Sequence, residues 1–123
     1  ITKTVDGLDM IERMALPVIV VGRSGLGGVN HALLTLAALR QRKIPIVALA
    51  LNQLHPVRTK LARAQEQSTV ALLRRFARVP VVGPLRYSAS VNQNWEDGMI
   101  QLSWSVEIMT LAKLVSAYGQ ETS

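Results

Sequence analysis

The sequence predicts an α/β domain in three layers, a parallel sheet with helices on both faces. Three apolar runs, at residues 17–21, 45–51 and 79–82, are rich in Val, Ile and Leu and are closed by turn residues. Runs that are apolar on both faces suit strands buried inside a parallel sheet. Between the runs, apolar residues recur at helical spacing. Alternation of this kind predicts parallel strands joined by right-handed crossovers.

The elements follow in order. Leu8 and Ile11 mark a short first helix, with Asp6 placed to cap it. The first strand leads into a glycine-rich stretch, "GRSGLGGVNHALLTL" (residues 22–36). This opens a helix whose apolar positions are Val29, Leu33, Leu36 and Ala37. After the second strand, "LHPVRTKLARAQ" (residues 54–65) reads as a basic, proline-containing loop that leads into a helix carrying Val70, Leu73 and Ala77. The last helix is expected from about Trp95 to Tyr118. One stripe on it holds Trp104, Ile108, Leu111 and Val115, and a second holds Met99, Leu102, Val106 and Met109. Two stripes suit core packing, with one open to a subunit contact. Three strands make a thin sheet with two edges to protect, so either the chain dimerises or it belongs to a larger sheet.

Composition bounds the function. At 123 residues the chain suits one small domain with a modest core. An apolar share of 49% excludes a disordered segment. The absence of cysteine removes disulfides and cysteine-bound metal, and favours a reducing compartment. A net charge of +6 fits either an anionic partner or a solvated basic surface. The sequence shows no signal-peptide pattern, and Glu107 and Lys113 interrupt the longest apolar helix, so no membrane partner is expected.

The glycine-rich stretch resembles phosphate-binding turns but matches none of them fully. Gly22 and Gly27 have P-loop spacing, yet Gly28 and Val29 stand where Lys and Ser or Thr belong. Gly25 and Gly27 fit a dinucleotide fingerprint, but Asn30 replaces its third glycine. The acidic ribose ligand is also missing, because no Asp or Glu lies between Glu12 and Glu66. That gap removes carboxylates for general-base or magnesium chemistry from the middle of the chain. What remains is a helix start near Gly28, with unpaired N–H groups and a positive dipole end. It suits a carboxylate or a phosphate, or it is a tight turn that binds nothing.

Residues 16–53, "LPVIVVGRSGLGGVNHALLTLAALRQRKIPIVALALNQ", closely resemble the C-terminal half of dethiobiotin synthetases. The motif Leu-Gly-x-Val/Ile-Asn-His-x-Leu-Leu-Thr spans Leu26 to Thr35. A strand ending in Asn, Leu49 to Asn52, follows at the family's distance, and "VPVVGPLRY" is similar to its next strand and exit loop. The likeness covers about residues 1–87. It implies a P-loop NTPase-like fold with a mainly parallel seven-stranded sheet. Residues 1–123 would form a single partial domain of it, the C-terminal part, with the P-loop half absent. It also implies a cytoplasmic homodimer that uses ATP and Mg2+ to close the ureido ring of dethiobiotin from 7,8-diaminopelargonic acid and CO2.

The resemblance assigns roles as well. Backbone N–H groups of Leu26, Gly27, Gly28, Val29 and Asn30 would bind the substrate carboxylate at the subunit interface. Asn52 would contact adenine, with Gln53 sharing the contact, and Leu85, Arg86 and Tyr87 would cover the base. The family usually carries Pro where Arg86 stands. His31 matches the motif's histidine and is expected to be packed or hydrogen-bonded, on one helix face with Thr35 and Arg42. No catalytic or metal-binding residue carries over, since the P-loop lysine and threonine, the magnesium ligands and the lysine near the amines have no counterparts. The isolated chain is therefore expected to be inactive. The alternative is a non-catalytic relative that binds or regulates. A nucleic-acid module ranks last, because aromatics do not interleave the basic residues and no binding motif is present.

Overall fold

Prolines set where the strands begin. The computed structural model describes residues 7–25, 27–89, 93–103 and 105–122. In it the three apolar runs become β1 (Val18–Arg23), β2 (Ile46–Asn52) and β3 (Val81–Leu85). Each strand starts one residue after a proline, at Pro17, Pro45 and Pro80. Proline cannot donate to the ladder, so the expected starts move forward. Its carbonyl still accepts: Val18 N–H bonds Pro45 O at 2.9 Å, and Leu49 N–H bonds Pro80 O at 2.8 Å.

The helices are α1 (Gly7–Met14), α2 (Gly28–Gln41), α3 (Lys60–Phe76), α4 (Trp95–Ser103) and α5 (Val106–Thr122). The strands pair in parallel in the order β1-β2-β3, as the alternation predicts. Helices α2 and α3 cover one face, where Val20, Leu36, Leu39, Leu49, Leu51, Val70 and Leu73 form the core. Helix α5 packs on β2 and β3 from the other face, over the small side chains of Ala48 and Ala50. Central β2 is buried at every interior position.

Three expectations need correction. The run in β1 is not buried on both faces: Val20 is buried, but Ile19 and Val21 are 39% and 68% exposed, and α5 packs chiefly on β2 and β3. The basic segment 54–65 is a loop only to Arg58. Thr59 caps α3 by accepting a bond from Ala62 N–H at 3.0 Å, so the helix begins at Lys60. The long final helix is two helices. Ser105 accepts from Ile108 N–H at 3.3 Å, and its own N–H bonds Leu102 O at 2.9 Å, so one helix ends and the next is capped there. Asp6 and Trp104 lie outside the described residues.

Candidate functional site at the strand C-termini

Parallel strands carry their C-terminal ends to one edge of the sheet, which is where open α/β sheets bind ligands. Here that edge joins three segments: the β1–α2 turn, the loop after β2 and the loop after β3. The register places Arg23 beside Asn52, and Asn52 beside Leu85.

The turn is shaped by glycine. Gly27, at φ +82°, occupies the N-cap of α2 and offers no side-chain cap. A Cβ on Gly28 would lie 2.1 Å from Arg23 O, so the chain crosses its own strand too closely for any side chain. Gly28 N–H bonds Gly25 O at 3.0 Å and His31 N–H bonds Gly27 O at 3.3 Å. Val29 and Asn30 then carry the first-turn amides with no such partner among the described residues. Leu26, the other member of the expected carboxylate-binding set, lies outside the described residues.

The expected adenine-side residues come together. Asn52, Gln53, Leu85, Arg86 and Tyr87 line one open cleft of about 270 Å³, together with Leu54, Ser88 and Leu102. Asn52 is half-buried, whereas Arg86 and Tyr87 are exposed at the rim. Across Asn52 and Gln53 lies a second cavity of about 270 Å³, between the Arg23–Gly25 turn and the face of α3 that bears Gln65 and Glu66. The two spaces share Asn52 and Gln53 as a common wall.

That wall is held by a buried polar network. Gln53 donates from Nε2 to Glu66 Oε2 at 2.8 Å, and its Oε1 accepts from Tyr87 N–H at 2.9 Å. Ser24 Oγ donates to the same Glu66 oxygen at 3.0 Å. Both ends of the Gln53 amide are thus occupied by the protein, and its side chain shapes the cleft from behind. Ser24 and Glu66 were not singled out as site residues from the sequence. The signal was present: Glu66 ends the acid-free stretch that begins after Glu12, on an otherwise basic helix.

The motif histidine behaves differently from expectation. His31 is exposed, and among the described residues its side chain has no hydrogen-bond partner; Thr35 Oγ1 bonds its backbone carbonyl at 2.9 Å. Arg42 instead turns to α1, pairing with Asp9 at 2.5 Å and Glu12 at 3.6 Å. Helical spacing places the three residues on one face, but a long arginine reaches past its own helix to carboxylates elsewhere. Among the described residues no three His, Asp or Glu side chains converge to hold a metal, and no helix is long and apolar enough to cross a membrane.

A family model described as an AAA domain matches residues 3–94. The chain belongs to this family. Its P-loop NTPase-like α/β fold agrees with the parallel sheet and flanking helices described above. The chain is also similar to an ATP-dependent dethiobiotin synthetase of Thermodesulfovibrio yellowstonii, at 37% identity over 70% of this chain and 35% of the relative. A biotin biosynthesis bifunctional protein of Bordetella avium is 34% identical over 89% of this chain and 20% of its own length. An ATP-dependent dethiobiotin synthetase of Paramagnetospirillum magneticum is 49% identical over 37% of this chain and 22% of the relative. The chain therefore spans about a fifth to a third of these relatives. The resemblance read from the Leu26–Thr35 motif is thereby supported by independent matches.

Proposed function

We propose that this chain forms the substrate-carboxylate turn and part of the adenine pocket of a dethiobiotin synthetase, acting in biotin biosynthesis. The observation that carries the reading is one of placement. Asn52, Leu85, Arg86 and Tyr87 meet in one cleft, and an amide-rich helix start lies along the same sheet edge.

Each part suits its proposed ligand. The Asn52 amide donates and accepts, which matches the paired edge of adenine. Leu85 and Tyr87 offer apolar surface to the two faces of the base. The Val29 and Asn30 amides, with the dipole of a 14-residue helix behind them, suit the carboxylate of 7,8-diaminopelargonic acid. Holding that carboxylate fixes the far end of the substrate and orients its two amines.

In the proposed reaction one amine takes up CO2 as a carbamate, ATP phosphorylates the carbamate, and the second amine attacks and expels phosphate. Mg2+ would neutralise charge on the transferring phosphoryl group. Among the described residues no group of His, Asp or Glu could hold a metal, and the reading assigns magnesium and phosphate handling to other parts of the enzyme. The reading accordingly has the chain inactive by itself and working in a cytoplasmic homodimer whose pocket each subunit completes for the other.

Calorimetric titration of ATP and of 7,8-diaminopelargonic acid against the complete protein that contains this chain tests the reading. Asn52→Ala is expected to weaken ATP and spare the diamine, and Asn30→Asp to do the reverse. Equal effects on both ligands, or on neither, would overturn it.

A further inference from the structure

We infer that Glu66 is a positioning residue, whose single carboxylate oxygen sets the β1–α2 turn and the loops after β2 and β3 in one fixed arrangement. Ser24, Gln53 and Glu66 are 2%, 7% and 8% exposed. Glu66 Oε2 accepts from Ser24 Oγ at 3.0 Å and from Gln53 Nε2 at 2.8 Å. Gln53 passes the constraint on: its Oε1 holds Tyr87 N–H at 2.9 Å, and its own N–H bonds Leu85 O at 2.9 Å. Ser24 N–H also bonds Asn52 O at 3.2 Å. Two segments remote in sequence thus meet on one oxygen, and Gln53 links the third to it.

The chemistry of the link is directional. The carboxylate accepts only, and Tyr87 N–H donates only, so the amide between them can lie just one way round. Bonds to a charged acceptor are about twice as strong as neutral ones. A buried carboxylate with no cation paired to it among the described residues costs free energy that an apolar residue of equal size would not. Its presence is therefore explained better by what it positions than by what it adds to stability. Read with the proposed function, on which this part rests, Glu66 sets the carboxylate turn at a fixed distance from the adenine cleft and touches neither ligand.

Amide hydrogen exchange on the full 123-residue chain tests the link without any ligand. The readouts are the amides of Ser24 and Tyr87, with Leu49 in β2 as reference. Glu66→Met keeps the volume and removes both bonds. Exchange at Ser24 and Tyr87 should rise about tenfold while Leu49 stays unchanged. Glu66→Gln, which retains an acceptor oxygen, should restore most of the protection. Equal acceleration at Leu49 would mean a general loss of stability and would overturn the inference, as would an unchanged Tyr87.

Should Glu66→Met fail to fold, an exchange of the two partners carries the test. Gln53→Glu sets two carboxylates against each other and should release both amides. The double variant Gln53→Glu, Glu66→Gln rebuilds the chain of bonds with reversed polarity and should recover them; failure to recover would overturn the inference. The proposed function fails separately: in the complete protein, ATP and the diamine would leave exchange at Asn52, Val29 and Asn30 unchanged while the Glu66 effect persisted.

Discussion

Gly28→Ala sets two rules against each other. At the first position of a helix, replacing glycine by alanine ordinarily stabilises, by about 0.4–1 kcal/mol, through helix propensity and a less flexible unfolded chain. At Gly28 the added Cβ would stand 2.1 Å from Arg23 O. Real Cβ atoms keep at least 3.0 Å, so 3.0 − 2.1 leaves the contact 0.9 Å too short. The obstructing atom is backbone at the end of β1 and cannot swing aside as a side chain would. Either α2 lifts off the sheet at its first turn or β1 gives way. Forcing atoms into a packed site costs about 1–3 kcal/mol, which exceeds the propensity gain. The net expectation is a loss of about 1–2 kcal/mol. Gly25→Ala is the matched control, because its Cβ would meet nothing within 4 Å. Urea unfolding of the two variants beside the parent chain reads the difference directly. If Gly28→Ala were as stable as the parent, the close crossing of the turn over Arg23 would be wrong, and with it the placement of the Val29 and Asn30 amides.

Three further outcomes follow from the same geometry. Asn30→Asp puts a negative charge in the first turn of α2, which should stabilise the helix by about 0.3–1 kcal/mol while weakening diamine binding; a parallel change in both quantities would refute the anion-site reading. Thr59→Ala removes the side-chain cap on Ala62 N–H, and thermal unfolding should show a loss of about 0.5–2 kcal/mol with ATP affinity unaltered. Asn52→Ala should weaken ATP about tenfold by calorimetry, one to two hydrogen bonds' worth, with the unfolding midpoint nearly unmoved.

The sheet was legible in the sequence because a parallel strand announces itself twice, by an apolar run and by turn residues at its ends. The proline before each strand even marks the starting residue, though the apolar pattern alone placed the starts early. That the residues proposed for the adenine side would lie near one another was legible through the family resemblance, and the register that pairs Asn52 with Leu85 brings them to one cleft. Helix ends were harder. Ser105 and Thr59 act through single side-chain bonds to the backbone, and no periodicity of apolar residues reports such a bond. The Glu66 link was hidden for a related reason. Ser24, Gln53 and Glu66 are ordinary surface residue types, and only the fold shows that they are buried together.

The exposed face of β1 carries one more piece of reasoning. Ile19 and Val21 obey the pattern of a strand buried on both sides, yet both are exposed, α5 packs chiefly on β2 and β3, and the outer edge of β1 pairs with no strand among those described. An unpaired edge beside exposed apolar side chains is a surface that folded proteins normally cover. Nothing local explains why valine and isoleucine stand there, since a half-covered edge strand would be served by alternating polar residues. The pattern is accounted for if β1 is an interior strand of a wider sheet, as the family resemblance implies. The turn proposed to hold the substrate carboxylate emerges from this same strand, at Arg23 and Ser24. Its position relative to any phosphate-handling residues is then set by how the neighbouring strand pairs with β1, and the edge that looks unfinished is the one through which the two halves of the proposed site would be aligned.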